Sequence, residues 1–141
     1  MKSLLFKVEH GDWSVELQLP AIYVLEDLAN SIIEAVGFDM DHCYGFYNNL
    51  KRYFDSTEEY TLFSDIGEEC KDSDTGVQGT CIADVFQPKK KMLFLFDYGD
   101  DWIFPVTCTG EAESKPFKRP KLLSTTGEPP EQYPELEEEE D

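Results

Sequence analysis

The sequence predicts an α+β fold: a mixed β-sheet packed on one main helix, with a short second helix. Three observations predict it. Apolar and polar residues alternate on both sides of His10-Gly11-Asp12. The period then becomes helical between Leu25 and Val36. Two further apolar runs, Met92–Phe96 and Trp102–Val106, bracket the turn-like stretch Asp97-Tyr98-Gly99-Asp100-Asp101. Alternation marks half-buried strands, a helical stripe marks an amphipathic helix, and apolar runs around a glycine turn mark a hairpin.

Each element follows in chain order. Leu4, Phe6 and Val8 alternate with Leu5, Lys7 and Glu9, and Trp13, Val15, Leu17 and Leu19 with Ser14, Glu16 and Gln18. The first two strands therefore form a hairpin with one buried face, and Pro20 stops the second because it cannot donate to the ladder. Leu25, Leu28, Ala29, Ile32 and Val36 form one helical stripe. Glu26 and Asp27 stand in its first turn, where the helix dipole favours negative charge, and Gly37 is placed to end it. No ordinary Ser, Thr or Asp cap precedes the helix. The aromatic stretch His42–Tyr47 reads as a third strand. Tyr53-Phe54 and Tyr60-Thr61-Leu62-Phe63 read as anchors of short segments. Between Gly67 and Gly79 the chain is rich in Glu, Asp, Ser, Thr and Gly and reads as a mobile loop. Thr80 is placed to cap a short helix, Cys81–Phe86, which Pro88 ends. Lys89-Lys90-Lys91 reads as a solvated turn. Leu122-Leu123 reads as a short edge strand. Glu137–Asp141 is a run of acids that repel one another, so residues 1–136 read as one domain with a disordered acidic tail at 137–141. The order hairpin, helix, strand, irregular segment, strand is β-grasp-like, an analogy of fold that carries no function.

Composition narrows the function classes. With 40% hydrophobic and 13% aromatic residues the 141-residue chain has enough apolar surface for a core. Thirty acidic residues against twelve basic ones give a formal charge of −18. Such a field repels phosphate backbones and anionic membranes and favours protein partners with basic surfaces. The two arginines, Arg52 and Arg119, are too few and too far apart for a nucleic-acid interface. No apolar run reaches membrane-spanning length, and the N-terminal apolar stretch is broken at Lys7 and Glu9, so the expectation is a soluble cytoplasmic protein. Cys43, Cys70, Cys81 and Cys108 form no CxxC pair. They read as free thiols, with Cys43 and Cys108 as small core residues; zinc ligation and a Cys70–Cys81 disulfide are the minor readings.

Residues 96–102, Phe-Asp-Tyr-Gly-Asp-Asp-Trp, are the most informative stretch. Asp97, Asp100 and Asp101 can be read in two ways. As turn residues they accept backbone N–H bonds, with Gly99-Asp100 as a two-residue turn that has glycine first. As hard oxygen ligands they can gather a divalent cation, Mg²⁺ or Ca²⁺. The turn reading is preferred, and no cofactor is expected. His42 reads as a core histidine satisfied by one hydrogen bond ahead of a base or ligand, and His10 stands in a turn beside Gly11. Trp13 and Trp102 read as core residues ahead of ligand-stacking ones. No phosphate loop, nucleophile elbow or metalloprotease helix is present.

Three motifs carry a resemblance. One is Phe96-Asp97-Tyr98-Gly99-Asp100-Asp101-Trp102. A second is the leucine helix from Leu25 through Gly37-Phe38 to His42. The third is Gly127-Glu128-Pro129-Pro130-Glu131-Gln132-Tyr133-Pro134. With them the chain resembles the plasmid ORF-three family, proteins first noted on a Ri plasmid and also carried as passengers on insertion elements. The resemblance implies no established activity. It singles out Asp97, Tyr98, Gly99, Asp100, Asp101 and Trp102 as the candidate functional motif, with His42, Pro129, Pro130 and Tyr133 as secondary candidates. Family members often have a histidine two residues after the tryptophan; this chain has Phe104. The label of resolvase on some members finds no support here, because a serine recombinase needs its nucleophile among several arginines. The leading reading is a non-enzymatic protein-interaction module, and the alternative is a metal-dependent enzyme using Asp97, Asp100 and Asp101.

Overall fold

The computed structural model describes residues 1–62 and 74–133. Strands β1 (Lys2–His10) and β2 (Trp13–Pro20) form the expected hairpin. Helix α1 (Leu25–Val36) follows, then β3 (Tyr44–Tyr47), a 3₁₀ turn at Tyr53–Asp55, β4 (Glu59–Thr61) and β5 (Asp74–Gly76). A short helix α2 (Ile82–Val85) leads to β6 (Lys91–Phe96), β7 (Trp102–Glu113) and β8 (Lys121–Thr126). The eight strands of the described residues form one sheet in the order β5-β4-β3-β6-β7-β1-β2-β8, antiparallel except for the parallel pair β4–β5.

The fold is thus mixed α/β, with one main helix and a short second one among the described residues. The hairpin–helix–strand order that suggested a β-grasp is present, but β1 is flanked by antiparallel partners on both sides, β2 and β7. The larger sheet comes from local signals too weak to read alone. β5 lies inside the stretch expected to be a loop, where a buried Val77 anchors it; residues 67–73 of that stretch lie outside the described residues. β7 runs on past Gly110 into Glu113 because β1 pairs with it as far as Lys2. Pro105 is tolerated in β7 where the pairing with β1 has ended, at Val106.

The core lies between one face of the sheet and α1. Leu4, Phe6 and Val8 of β1, Trp13, Val15, Leu17 and Leu19 of β2, and Met92, Phe94 and Phe96 of β6 meet Leu25, Leu28, Ala29, Ile32 and Val36. The odd residues of β6, Leu93 and Leu95, pack with Tyr47, Tyr53 and Tyr98 into a smaller cluster, which alternation places on the opposite face. α1 has the expected bounds. The Asp27 carboxylate accepts the Val24 N–H at 2.9 Å, a reach-back that stands in for the missing cap. At the other end Gly37 takes φ 83°, and the N–H groups of Gly37 and Phe38 both bond the Ile33 carbonyl at 3.1 Å.

Two further expectations are corrected, and one, the edge strand at Leu122-Leu123, holds. The third strand starts at Tyr44, so His42 and Cys43 stand in the loop before it. α2 is capped by Cys81, not Thr80, whose hydroxyl instead donates to the Gly76 carbonyl at 2.6 Å. β8 does carry Leu122 and Leu123 along the sheet edge beside β2, and both remain about half exposed. The proposed acidic tail, 137–141, and the boundary at residue 136 lie outside the described residues.

Candidate functional site

The connection between β6 and β7 is built by Asp97. The ladder closes at Phe96↔Trp102, leaving residues 97–101 as the turn. Asp97 Oδ1 accepts the N–H of Gly99 at 3.0 Å and of Asp100 at 3.3 Å, and the Asp101 N–H donates to the Asp97 carbonyl at 2.6 Å. Asp97 and Asp101 take positive φ, 67° and 52°, and Gly99 does not. The expected two-residue turn with glycine first is therefore not formed. The aspartate side chain mimics a backbone turn, and aspartate tolerates the left-handed conformation that this demands.

The other oxygen of Asp97 reaches His42. Asp97 is 5% exposed, and its Oδ2 lies 3.3 Å from His42 Nε2. The opposite ring nitrogen, Nδ1, donates to Asp41 Oδ1 at 2.7 Å. Asp41 in turn accepts the Tyr133 hydroxyl on Oδ2 at 2.8 Å and the Gln132 side-chain amide on Oδ1 at 3.0 Å. Gln132, which is buried, also takes the Asp39 N–H on its own oxygen at 2.7 Å. His42 is thus not the core histidine expected. It is more than a third exposed and bridges two carboxylates.

Charge follows from this geometry. The hydrogen bond to Asp41, helped by the negative field of Asp97 and Asp100, raises the His42 pKa above the usual imidazole value. The bond from His42 holds the Asp41 carboxyl below its usual range. The bond to Asp41 pushes the Tyr133 phenol up to about 12.

The remaining candidates divide. Tyr98 points away from this network and shares a 2.7 Å hydroxyl–hydroxyl bond with Tyr47. Trp102 packs edge-on against Phe38, with centroids 4.8 Å apart, and its buried Nε1 has no hydrogen-bond partner among the described residues. Phe104 is fully buried, with the His10 ring 5.2 Å above it. Asp100 and Asp101 are exposed. Pro129 is exposed and Pro130 half-buried; they lead the chain from Gly127 to the Gln132 and Tyr133 contacts. Among the described residues no three His, Cys, Asp or Glu side chains gather in a metal-ligating arrangement. Cys43, Cys81 and Cys108 are free thiols, with Cys43 half-buried and Cys108 buried, and Cys70 lies outside the described residues.

The three sequence motifs, far apart in the chain, therefore meet. Phe38 packs on Trp102, His42 pairs with Asp97, and Gln132 and Tyr133 bond to the 39–41 loop. The family model of the plasmid pRiA4b ORF-3-like proteins matches residues 13–137. The chain belongs to this plasmid ORF-3-like family. Its fold is similar to the crystal structure of a protein of unknown function, MM3350, from Methanosarcina mazei Go1. The TM-score is 0.70 at 16% identity, over 88% of this chain and 69% of that one. No curated protein matches the chain.

Sequence reasoning on this family member missed Asp41, Gln132 and Phe38. Asp41 had a local signal, its position directly before His42. Gln132 had none beyond lying in the Gly127–Pro134 motif, because its partners are distant in sequence.

Proposed function

We propose that this family member is a non-enzymatic protein-interaction module. In this reading the face formed by the 39–42 loop, the 97–101 turn and residues 130–133 receives a partner with a basic surface. The observation that carries it is the meeting of the three motifs at one acidic face. Asp39, Asp41, Asp100 and Asp101 are exposed there, beside Met40 at 40% and Tyr133 at 55% exposure. Carboxylates ringing apolar and aromatic side chains suit a lysine or arginine with its aliphatic stem. Acid–base chemistry draws less support, because the two carboxylates beside the ring favour the imidazolium, and an imidazolium has no lone pair to act as a base. A β-grasp-like topology, a cytoplasmic setting and carriage as a mobile-element passenger belong to the same proposal.

The test is fluorescence anisotropy with a labelled Lys/Arg-rich peptide at low and high salt. Binding should weaken with salt and with the pair Asp100→Asn and Asp101→Asn. The control pair Glu111→Gln and Glu113→Gln, on β7 away from this face, should leave it unchanged. Equal loss in both pairs would reduce the effect to net charge, and no binding at low salt would overturn the reading.

A further inference from the structure

We propose that His42 is a proton-operated clasp that fastens the β6–β7 turn and the C-terminal strap, residues 130–133, to the 39–42 loop. The argument is a count of donors. His42 Nδ1 faces Asp41 Oδ1 at 2.7 Å and Nε2 faces Asp97 Oδ2 at 3.3 Å. Both partners are carboxylates, which only accept. A neutral imidazole has one N–H, so it satisfies one partner and turns a lone pair on the other; the imidazolium satisfies both.

Each arm of the clasp continues into a different segment. On one side Asp97 Oδ1 holds the N–H groups of Gly99 and Asp100, which shape the turn. On the other side Asp41 holds the Tyr133 hydroxyl and the Gln132 amide, and Gln132 returns to the Asp39 backbone. A single proton on His42 therefore completes a chain of bonds from the turn to the strap.

The charged and titratable groups facing the ring come from each surrounding segment. They are Asp41 on its own loop, Asp97 and Asp100 on the turn, and Tyr133 on the strap. Glu26 of α1 and Cys43 line the adjoining cleft of about 390 Å³. Every carboxylate in this set favours the imidazolium. The clasp is closed below the usual imidazole pKa of about 6.5, and its contribution is lost as pH rises through the higher value held in the fold. The Asp97 contact, the longer of the two, is the one that opens. The clasp stands whether or not a basic partner docks on this face.

The chain has two histidines, so ring ¹⁵N NMR reads His42 directly, with His10→Gln assigning the pair. At slightly acidic pH both His42 nitrogens should be protonated. The Gln132 side-chain amide, the Tyr133 ring and the Gly99 amide should then all shift with the His42 midpoint. Asp97→Asn should lower that midpoint and uncouple the Gly99 signal from it. His42→Gln should abolish the step in the Gln132 and Tyr133 signals with the rest of the spectrum folded. A His42 midpoint at or below the usual value overturns the clasp. So does a step in the strap signals that survives in His42→Gln.

Discussion

A Cβ placed on Gly45 would stand 2.7 Å from the Tyr98 hydroxyl and 3.0 Å from both Thr61 Cγ2 and the Tyr47 ring. Gly45 lies in β3 between β4 and β6, so the strand cannot move aside without disturbing two ladders. The missing side chain leaves the room in which Tyr98 reaches Tyr47 at 2.7 Å. Gly45→Ala should cost about 1–3 kcal/mol through overpacking. In the Gly45→Ala/Tyr98→Phe double variant the cost should fall short of the sum of the single ones, since the nearest clash is gone. Denaturant midpoints of the three variants check this, and strict additivity would mean that the hydroxyl does not set the limit.

Within the β6–β7 turn, Asp97 should be the sensitive position and Gly99 the tolerant one. Asp97 carries the positive φ, accepts two backbone N–H groups and pairs with His42. Asp97→Ala leaves those donors without their acceptor and puts a residue poorly suited to the left-handed region there, at about 1–3 kcal/mol. A Cβ on exposed Gly99 meets only Asp97 Oδ1, at an ordinary 3.4 Å, so Gly99→Ala should stay within about 0.5 kcal/mol. Because both Asp97 oxygens are engaged, Ca²⁺ or Mg²⁺ should leave the thermal midpoint of the native chain unchanged. A rise that Asp100→Asn removes would establish a cation site in the turn.

Gly127 opens the Pro-Pro motif for a steric reason. It has φ 79°, and a Cβ there would overlap the Asp12 carbonyl in the β1–β2 turn. The obstacle is backbone, so neither side can yield cheaply. Gly127→Ala should detach the segment that carries Gln132 and Tyr133 before it melts the core. Faster amide exchange confined to β8 and residues 128–133 is the expected outcome, and unchanged exchange would sink the claim.

What the sequence disclosed tracks how local each signal is. The β1–β2 hairpin and α1 were legible because alternation and a helical stripe repeat within a few residues, and Leu25–Val36 was read to its true bounds. The turn type at Asp97 was not. Gly99 looked like the residue that needs φ freedom, but a side chain of Asp97 bonding two residues ahead makes the turn without it. The site was legible as three motifs and not as one place. Nothing local tells that Gln132 returns to Asp39 or that Asp41, beside the more conspicuous His42, is the hub. Such contacts are set by sheet order, and β5 and the full length of β7 were themselves hidden in polar sequence.

Nucleic acid should not bind at physiological salt. The formal charge of −18 opposes a polyanion, and the basic residues nearest one another, Lys89-Lys90-Lys91, are partly spent: Lys90 is paired with Glu58 at 2.9 Å. Phosphate neutralisation needs several free cations on one face. Gel-shift titrations with duplex and single-stranded DNA should show no complex at micromolar protein. A complex that weakens steeply with salt would reverse the prediction.

Tyr133 gives the pH dependence with the cleanest sign. Its hydroxyl donates to Asp41, and that bond raises its pKa from the ordinary 10.0 to about 12. The folded chain therefore holds this proton more tightly than the unfolded one. By linkage, the contribution is fully present below the ordinary value and is lost as pH rises from there toward about 12. The residue is half exposed, so the effect should be local: the strap loosens while the core stays intact. The ring signals of Tyr133 should titrate late, and Asp41→Asn should bring the midpoint back toward the ordinary value because a neutral amide no longer opposes the phenolate. Tyr133→Phe should remove the step without shifting the other tyrosines. A Tyr133 midpoint at the ordinary value in the native chain would show that the Asp41 bond does not hold the strap in solution, whatever the state of His42.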